Sequence, residues 1–381
     1  MRALTVRGPY KGQSGHDHHV REFVRHLAAR GIAIQLVDMP EWSPVKLREE
    51  QRDPWFDTLG APVGARAVLH FCMPHQVRVA PDRLNVDYTM FEATRIPRDW
   101  VAHNRGHDRV IVPVASCESA WVESGFPREQ IRICPLGVDV TRFHPGAEPL
   151  DLTDRQGRAL REYRARVLNV SEFGPRKNLM GLLRVWIQAT ARQDDAILVV
   201  KLGGLLPSGV LALLRDLDAT ERALGKTRRE SAPVLFLDAI LPDRQMPGLF
   251  AAATHYWSMS HGEAWDQPMT EAGATGLALI APRHSAYRAY LDDSVATLIP
   301  ARQVPARVAG RSNQAALFEG AEWWEPDEAA AAEAVRRAVS GADRPLRTAR
   351  ERLAAGFTWD HASTRLVGIL DELLAERGLA L

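Results

Sequence analysis

Cysteine is nearly absent: Cys72, Cys117 and Cys134 are the only three in 381 residues. They form no C-x-x-C pair and are odd in number. That argues against a disulfide framework and a cysteine-based zinc site, and it suits a reducing compartment. Charge of one sign is also missing. Lys+Arg total 48 against Asp+Glu at 47, a net charge of +1, so no basic field marks a nucleic-acid binder and none is expected as a partner. No apolar run reaches the roughly 18 residues that a membrane-spanning helix needs. Arg7 and Lys11 interrupt the first apolar run, so no secretory leader is expected. The expected location is the cytoplasm, with peripheral contact at the inner membrane face left open. No repeat of solenoid period occurs. Lysine is scarce too: Lys11, Lys46, Lys177, Lys201 and Lys226 are the only five among the 48 basic residues. A GC-rich genome explains the excess of arginine, and against it each lysine hints that a compact ammonium was needed.

What is present is a globular composition, 46% hydrophobic and 25% charged, in a chain long enough for two domains. Ala3–Val6 reads as a strand, followed by a loop with Gly8, Gly12 and Gly15. Val20, Phe23, Val24 and Leu27 then repeat at i, i+3, i+4 and i+7, one face of a helix. Gly31 stops it, and Ile32–Val37 reads as the next strand, which makes a parallel βαβ unit. Further strands are expected at Ala67–Phe71, Val110–Val114 and Ile131–Pro135. A polar stretch places the domain boundary between 146 and 165, giving domains over 1–150 and 151–358. The second series runs through a strand at Val167–Val170, a helix at Leu179–Ala189 and strands at Ala196–Val200 and Pro233–Leu237. A helix at Met246–Ala253 and a strand at Leu277–Ala281 follow. Asp360–Arg377 reads as a last amphipathic helix with Gly378 as its stop.

Three constellations could carry chemistry. Glu263 and Glu271 flank Pro268, which suits the first turn of a helix, so Glu271 is expected in that turn and Glu263 on the loop before it. Arg176 and Lys177 follow a strand end, where α/β sheets bind ligands, and could neutralise a diphosphate; a solvated pair opening a helix is the plainer account, but the scarcity of lysine favours the diphosphate. Gly12 and Gly15 before a helix allow a ligand close to backbone, but the pattern is not G-x-G-x-x-G, which disfavours a dehydrogenase. His16, His18 and His19 read as polar lining for a sugar or acceptor, because adjacent histidines rarely ligate one ion. Arg155, Arg158, Arg161, Arg164 and Arg166 read as a solvated helix face in preference to a membrane contact.

Taken in order, Pro135-Leu136-Gly137-Val138-Asp139, Arg176-Lys177-Asn178 and the Glu263-to-Glu271 segment resemble the family-4 retaining glycosyltransferases. Asp87–Glu92 with Pro97 and Trp100 is similar to a further segment of that family. Gly12 and Gly15 are separated where many members have a Gly-Gly pair. Glu172 stands where many carry an arginine, and Ala264 where glycine is common.

The resemblance implies the α/β GT-B architecture: two Rossmann-like domains with parallel sheets facing a central cleft, and a helix over 359–381 crossing back to the first. It implies transfer of a sugar from a UDP- or GDP-sugar to a saccharide, lipid-linked or other hydroxyl acceptor, without metal or other cofactor. Glu263, Arg176 and Lys177 would be catalytic. Glu271, Gly12, Gly15, Gly262, Ala264, Trp265 and Ile240 would bind donor, with His16 and Glu92 on the acceptor side. An epimerase or hydrolase of the same fold, and a non-catalytic nucleotide-sugar scaffold, stay open as alternatives. Base, sugar, acceptor and oligomeric state are not encoded in any motif found.

Overall fold

In the computed structural model, residues 2–42, 45–104, 106, 108–308, 313–342 and 348–381 are described. They form two compact units. The first comprises Met1–Gly137, Gly310–Glu322 and Gly356–Leu381; the second comprises Val138–Ala309 and Trp323–Ala355.

The first unit is built on six strands: β1 (Ala3–Arg7), β2 (Ala33–Val37), β3 (Ala67–His70), β4 (Leu84–Tyr88), β5 (Arg109–Val112) and β6 (Ile131–Ile133). All pair in parallel in the order β2-β1-β3-β4-β5-β6. β1, β3 and β4 are buried along their whole lengths, as expected for central parallel strands covered on both faces. The apolar face of the Gly15–Ala29 helix buries Val20, Phe23, Val24 and Leu27. Phe23 also meets the ring of Trp359, on the C-terminal Trp359–Ala375 helix. Gly137 lets the chain pass that helix's start: a Cβ there would lie 2.2 Å from the Trp359 nitrogen.

The second unit has β7 (Ala165–Val170), β8 (Ala196–Leu202), β9 (Val234–Asp238), β10 (His255–Trp257), β11 (Ala278–Pro282) and β12 (Thr297–Ile299). These are parallel in the order β12-β11-β10-β7-β8-β9. The Leu179–Ala189 helix buries Leu182, Leu183 and Trp186 against Leu198 and Val200 of β8 and Trp257 of β10. Each such aliphatic side chain contributes roughly 1.5–3 kcal/mol when fully buried. β13 (Ala301–Pro305) and β14 (Glu322–Pro326) form a separate two-stranded sheet.

The structure differs from the expectations in several places. The units divide at Gly137/Val138, earlier than the stretch 146–165. The reason is that 138–164 is bonded into the second unit: the Leu150 amide donates to Gly248 O, Arg142 Nη2 donates to Asp243 O at 2.9 Å, and Phe143 meets Phe250 edge-on. The segments 310–322 and 356–381 group with the first unit. The arginine-rich stretch is not a helix face. Arg158 pairs with Asp195, Arg161 with Asp151, and Arg164 and Arg166 bond the carbonyls of Ser340 and Ala252, so these four side chains tie loops down. No helix among the described residues is long and apolar enough to cross a membrane.

Candidate active site at the β7/β10 switch point

The second sheet reverses its winding between β7 and β10, and ligands of open α/β sheets sit outside the carboxyl ends of strands at such a point. The loop after β7 carries Arg176 and Lys177, and the loop after β10 carries His261 to Asp266. Residues 86 positions apart in the chain meet here. Lys177 Nζ lies 2.7 Å from Glu263 Oε1, Arg176 Nη1 lies 2.9 Å from Oε2, and the same Nη1 donates to Gly262 O at 2.7 Å. The Glu263 side chain is only 3% exposed, while those of Arg176 and Lys177 keep 22% and 18%. Burial pushes the Glu263 carboxyl up, but Lys177 and then Arg176 outweigh it and hold it well below the usual carboxylate range.

Backbone bonds set this geometry. The His261 amide donates to Arg176 O at 2.8 Å, and Ser260 Oγ donates to Arg176 O and Gly262 O. The Glu263 amide donates to Ser285 Oγ at 3.1 Å. Asn178, directly after Lys177, takes the left-handed conformation at φ +50, and its side chain accepts from the Gly181 amide, capping the next helix. Asn is among the few residues that tolerate that conformation, so the Arg-Lys-Asn order turns both cations back onto Glu263.

Three groups at this site had no assigned role in the sequence. Asp266, at the N-cap of the Gln267–Thr275 helix, accepts from Tyr287 Oη at 2.8 Å. Burial first, then the charge of Glu263, pushes its carboxyl up to about 6. His261 bridges Pro175 O and Glu325 Oε2 through its two ring nitrogens. Lys201, at the end of β8, is 9% exposed; burial lowers its ammonium pKa against the opposing charges of Asp238, Glu271 and Glu172. The scarcity of lysine was its only signal in the sequence.

The remaining expected residues are placed as follows. Glu271 is the fifth residue of the Gln267–Thr275 helix, past its first turn, because the helix begins at Gln267. It is buried and shares the electrostatic neighbourhood of Lys201. Ile240 lies over Gly204, whose amide, with that of Leu205, donates to Asp238. Ala264 is buried and Trp265 meets Tyr290 at 5.0 Å, a core contact.

Gly12, Gly15, His16 and Glu92 all belong to the first unit. There the glycine loop is braced from the helix it precedes: the Gly12 amide donates to Asp17 Oδ1, Ser14 caps the helix, and Arg21 Nη1 donates to the carbonyls of Tyr10 and Gly12. His16 lies 4.7 Å from the Trp42 ring, and Glu92 is half-buried after β4. Among the described residues no three His, Cys, Asp or Glu side chains converge as a metal-ligand set.

No protein-family model and no curated protein sequence matches the chain. Solved structures do match. The chain is similar to a sucrose-phosphate synthase from Thermosynechococcus elongatus, with a TM-score of 0.67 and 16% identity over 99% of this chain and 100% of the other. It is similar to a glycosyltransferase from Rickettsia africae (TM-score 0.64, 12% identity, 98% of each chain). A third is Anabaena HepE in complex with UDP and glucose (0.62, 12%, 98% of this chain and 100% of that). Likeness at this identity defines the fold, which is the GT-B fold with α/β units on two parallel six-stranded sheets.

Proposed function

We propose that the protein is a retaining glycosyltransferase that takes a UDP- or GDP-sugar as donor and a hydroxyl of a saccharide, glycolipid or similar acceptor. The observation that carries this reading is the buried Glu263 held between Arg176 and Lys177 at the β7/β10 switch point. The HepE structures with UDP and with UDP-glucose support a nucleotide-sugar ligand for this fold.

Arg176 and Lys177 face the diphosphate. A guanidinium has five N–H donors and an ammonium three, so each can keep its bond to Glu263 and still donate to phosphate oxygens. The family resemblance gives Glu263 the sugar; the ion pairs also make it the group that positions both cations. In the transfer step the bond from the sugar's anomeric carbon to the β-phosphate oxygen breaks, and a bond from the acceptor oxygen to that carbon forms on the same face. The acceptor's proton passes to the departing diphosphate. Negative charge grows on the leaving group, where two preorganised cations stabilise it without a metal. Glu271 holds the ribose side, and Gly15, His16 and Glu92 of the first unit take the acceptor.

The test is a transfer assay with UDP- and GDP-sugars against a panel of glycan acceptors, the product's anomeric configuration read by NMR. Retention, lost together with turnover in Lys177→Ala, is the expected result. Inversion refutes the mechanism, and release of free sugar that no acceptor suppresses identifies a hydrolase.

A further inference from the structure

The second unit holds a cavity of about 840 Å³ lined by His261, by residues of β13 and β14, and by the start of the Glu328–Ser340 helix. Its volume lies within the roughly 300–1,000 Å³ range of small-molecule sites. The acids in its wall are already engaged. Glu325 Oε2 lies 3.0 Å from His261 Nε2, Glu328 takes Arg184 in a two-oxygen grip, and Asp327 caps the helix at the Ala330 amide. The cations keep their donors, although the charge of Arg302, after His261 and Arg184, helps hold the Glu325 carboxyl down. Arg302 and Arg307 are exposed at the cavity and make no hydrogen bond or ion pair among the described residues. The donors still free in this wall are therefore those of the two guanidiniums. Three prolines and Val304 supply apolar wall, and each carboxylate keeps acceptor capacity for hydroxyl groups.

We propose that this cavity is a second ligand site, for a saccharide that carries a carboxylate or phosphate. Arg302 and Arg307 take the anion, which suits the guanidinium's paired donors. Glu325 and Asp327 accept sugar hydroxyls, and the proline faces cover the ring's C–H surface. The cavity adjoins the Glu263 site through His261. Its ring reaches Glu325 on one side and Pro175 O on the other, and its amide holds Arg176 O. The cavity's chemistry stands whether or not the Glu263 site takes a nucleotide sugar.

The experiment is calorimetric titration of the full chain with glucose 6-phosphate, glucuronate, glucose and inorganic phosphate. Each is repeated on an Arg302→Ala/Arg307→Ala double variant and on Lys177→Ala. The expected result is that at least one of the two anionic sugars binds at least about 10-fold more tightly than glucose and than phosphate. The double variant should lose that advantage and Lys177→Ala should keep it; comparing the phosphate arm with the carboxylate arm tells which anion is preferred. Binding lost only in Lys177→Ala would assign the ligand to the Glu263 site and overturn the proposal. So would phosphate binding as tightly as the sugar phosphate, or binding of neither anionic sugar. UDP titration of the double variant, expected unchanged, separates this proposal from the reading of the Glu263 site and reports that the variant is folded.

Discussion

The two sheets share six parallel strands but reverse at different places. The first is wound β2-β1-β3-β4-β5-β6 and switches between β1 and β3; the second is wound β12-β11-β10-β7-β8-β9 and switches between β7 and β10. What stands at the two switch points differs in kind. After β1 the loop is closed on itself, with Asp17 holding the Gly12 amide and Arg21 the loop carbonyls, and rings such as His16 and Trp42 beside it. After β7 and β10 the loops hold two partly exposed cations on one buried carboxylate. A loop whose charges, Lys11, Asp17 and Arg21, are already held by its own neighbours can offer shape and backbone groups. A cation pair over a buried acid can neutralise a diphosphate. The function proposed above accordingly puts the anion on the second unit and the hydroxyl acceptor on the first.

Breaking the charged side should have the largest effect. Lys177→Ala is expected to cut transfer by roughly 10²–10³-fold, the loss typical of one preorganised donor at a developing charge, and to lower the thermal midpoint as well, because it leaves the buried Glu263 with Arg176 alone. Glu263→Ala leaves both cations facing each other without their acid. It is expected to destabilise the chain by roughly 3 kcal/mol, the low end for a broken buried pair, as read in denaturant melts. On the braced side, Asp17→Ala strips the Gly12 amide of its acceptor and should cost about 1–3 kcal/mol, while UDP affinity stays within about twofold.

A smaller effect sharpens the electrostatics. Asp266 titrates near 6 when folded, above its ordinary value. Its contribution to stability is therefore full at low pH and lost as pH rises through about 6. An arriving diphosphate raises it further, so UDP affinity should strengthen severalfold between pH 8 and pH 6. Asp266→Asn should flatten that profile and stabilise the protein at pH 8; titrations across pH read the first, and melts the second.

Much of the scaffold was legible because apolar spacing is local. Leu179, Leu182, Leu183, Trp186 and Ile187 repeat at helical period, and the helix runs over Leu179–Ala189 as that spacing requires. β4 was not legible, since Asn85 and Asp87 interrupt its apolar run; in the fold Asn85 is satisfied by the carbonyls of Ala80 and Arg83. β10 is three residues long and β12 likewise, too short for a period to register. At the site, Arg176, Lys177 and Glu263 could each be singled out, but their convergence depends on β10 pairing beside β7, a long-range fact. Asp266 and His261 owe their roles to burial and to partners on other loops. Lys201 lay among five lysines, of which Lys177 and Lys201 stand at the carboxyl edge of the second sheet and Lys226 ties down Thr190 O.

The most direct measurement is calorimetric titration of the protein with UDP, GDP and ADP, repeated on Lys177→Ala and His16→Ala. The account expects UDP or GDP to bind, Lys177→Ala to weaken it at least about 10-fold, and His16→Ala to leave it unchanged. Loss of binding in His16→Ala alone, or no binding of any nucleotide by the wild-type chain, would contradict the assignment of the anion to the second unit.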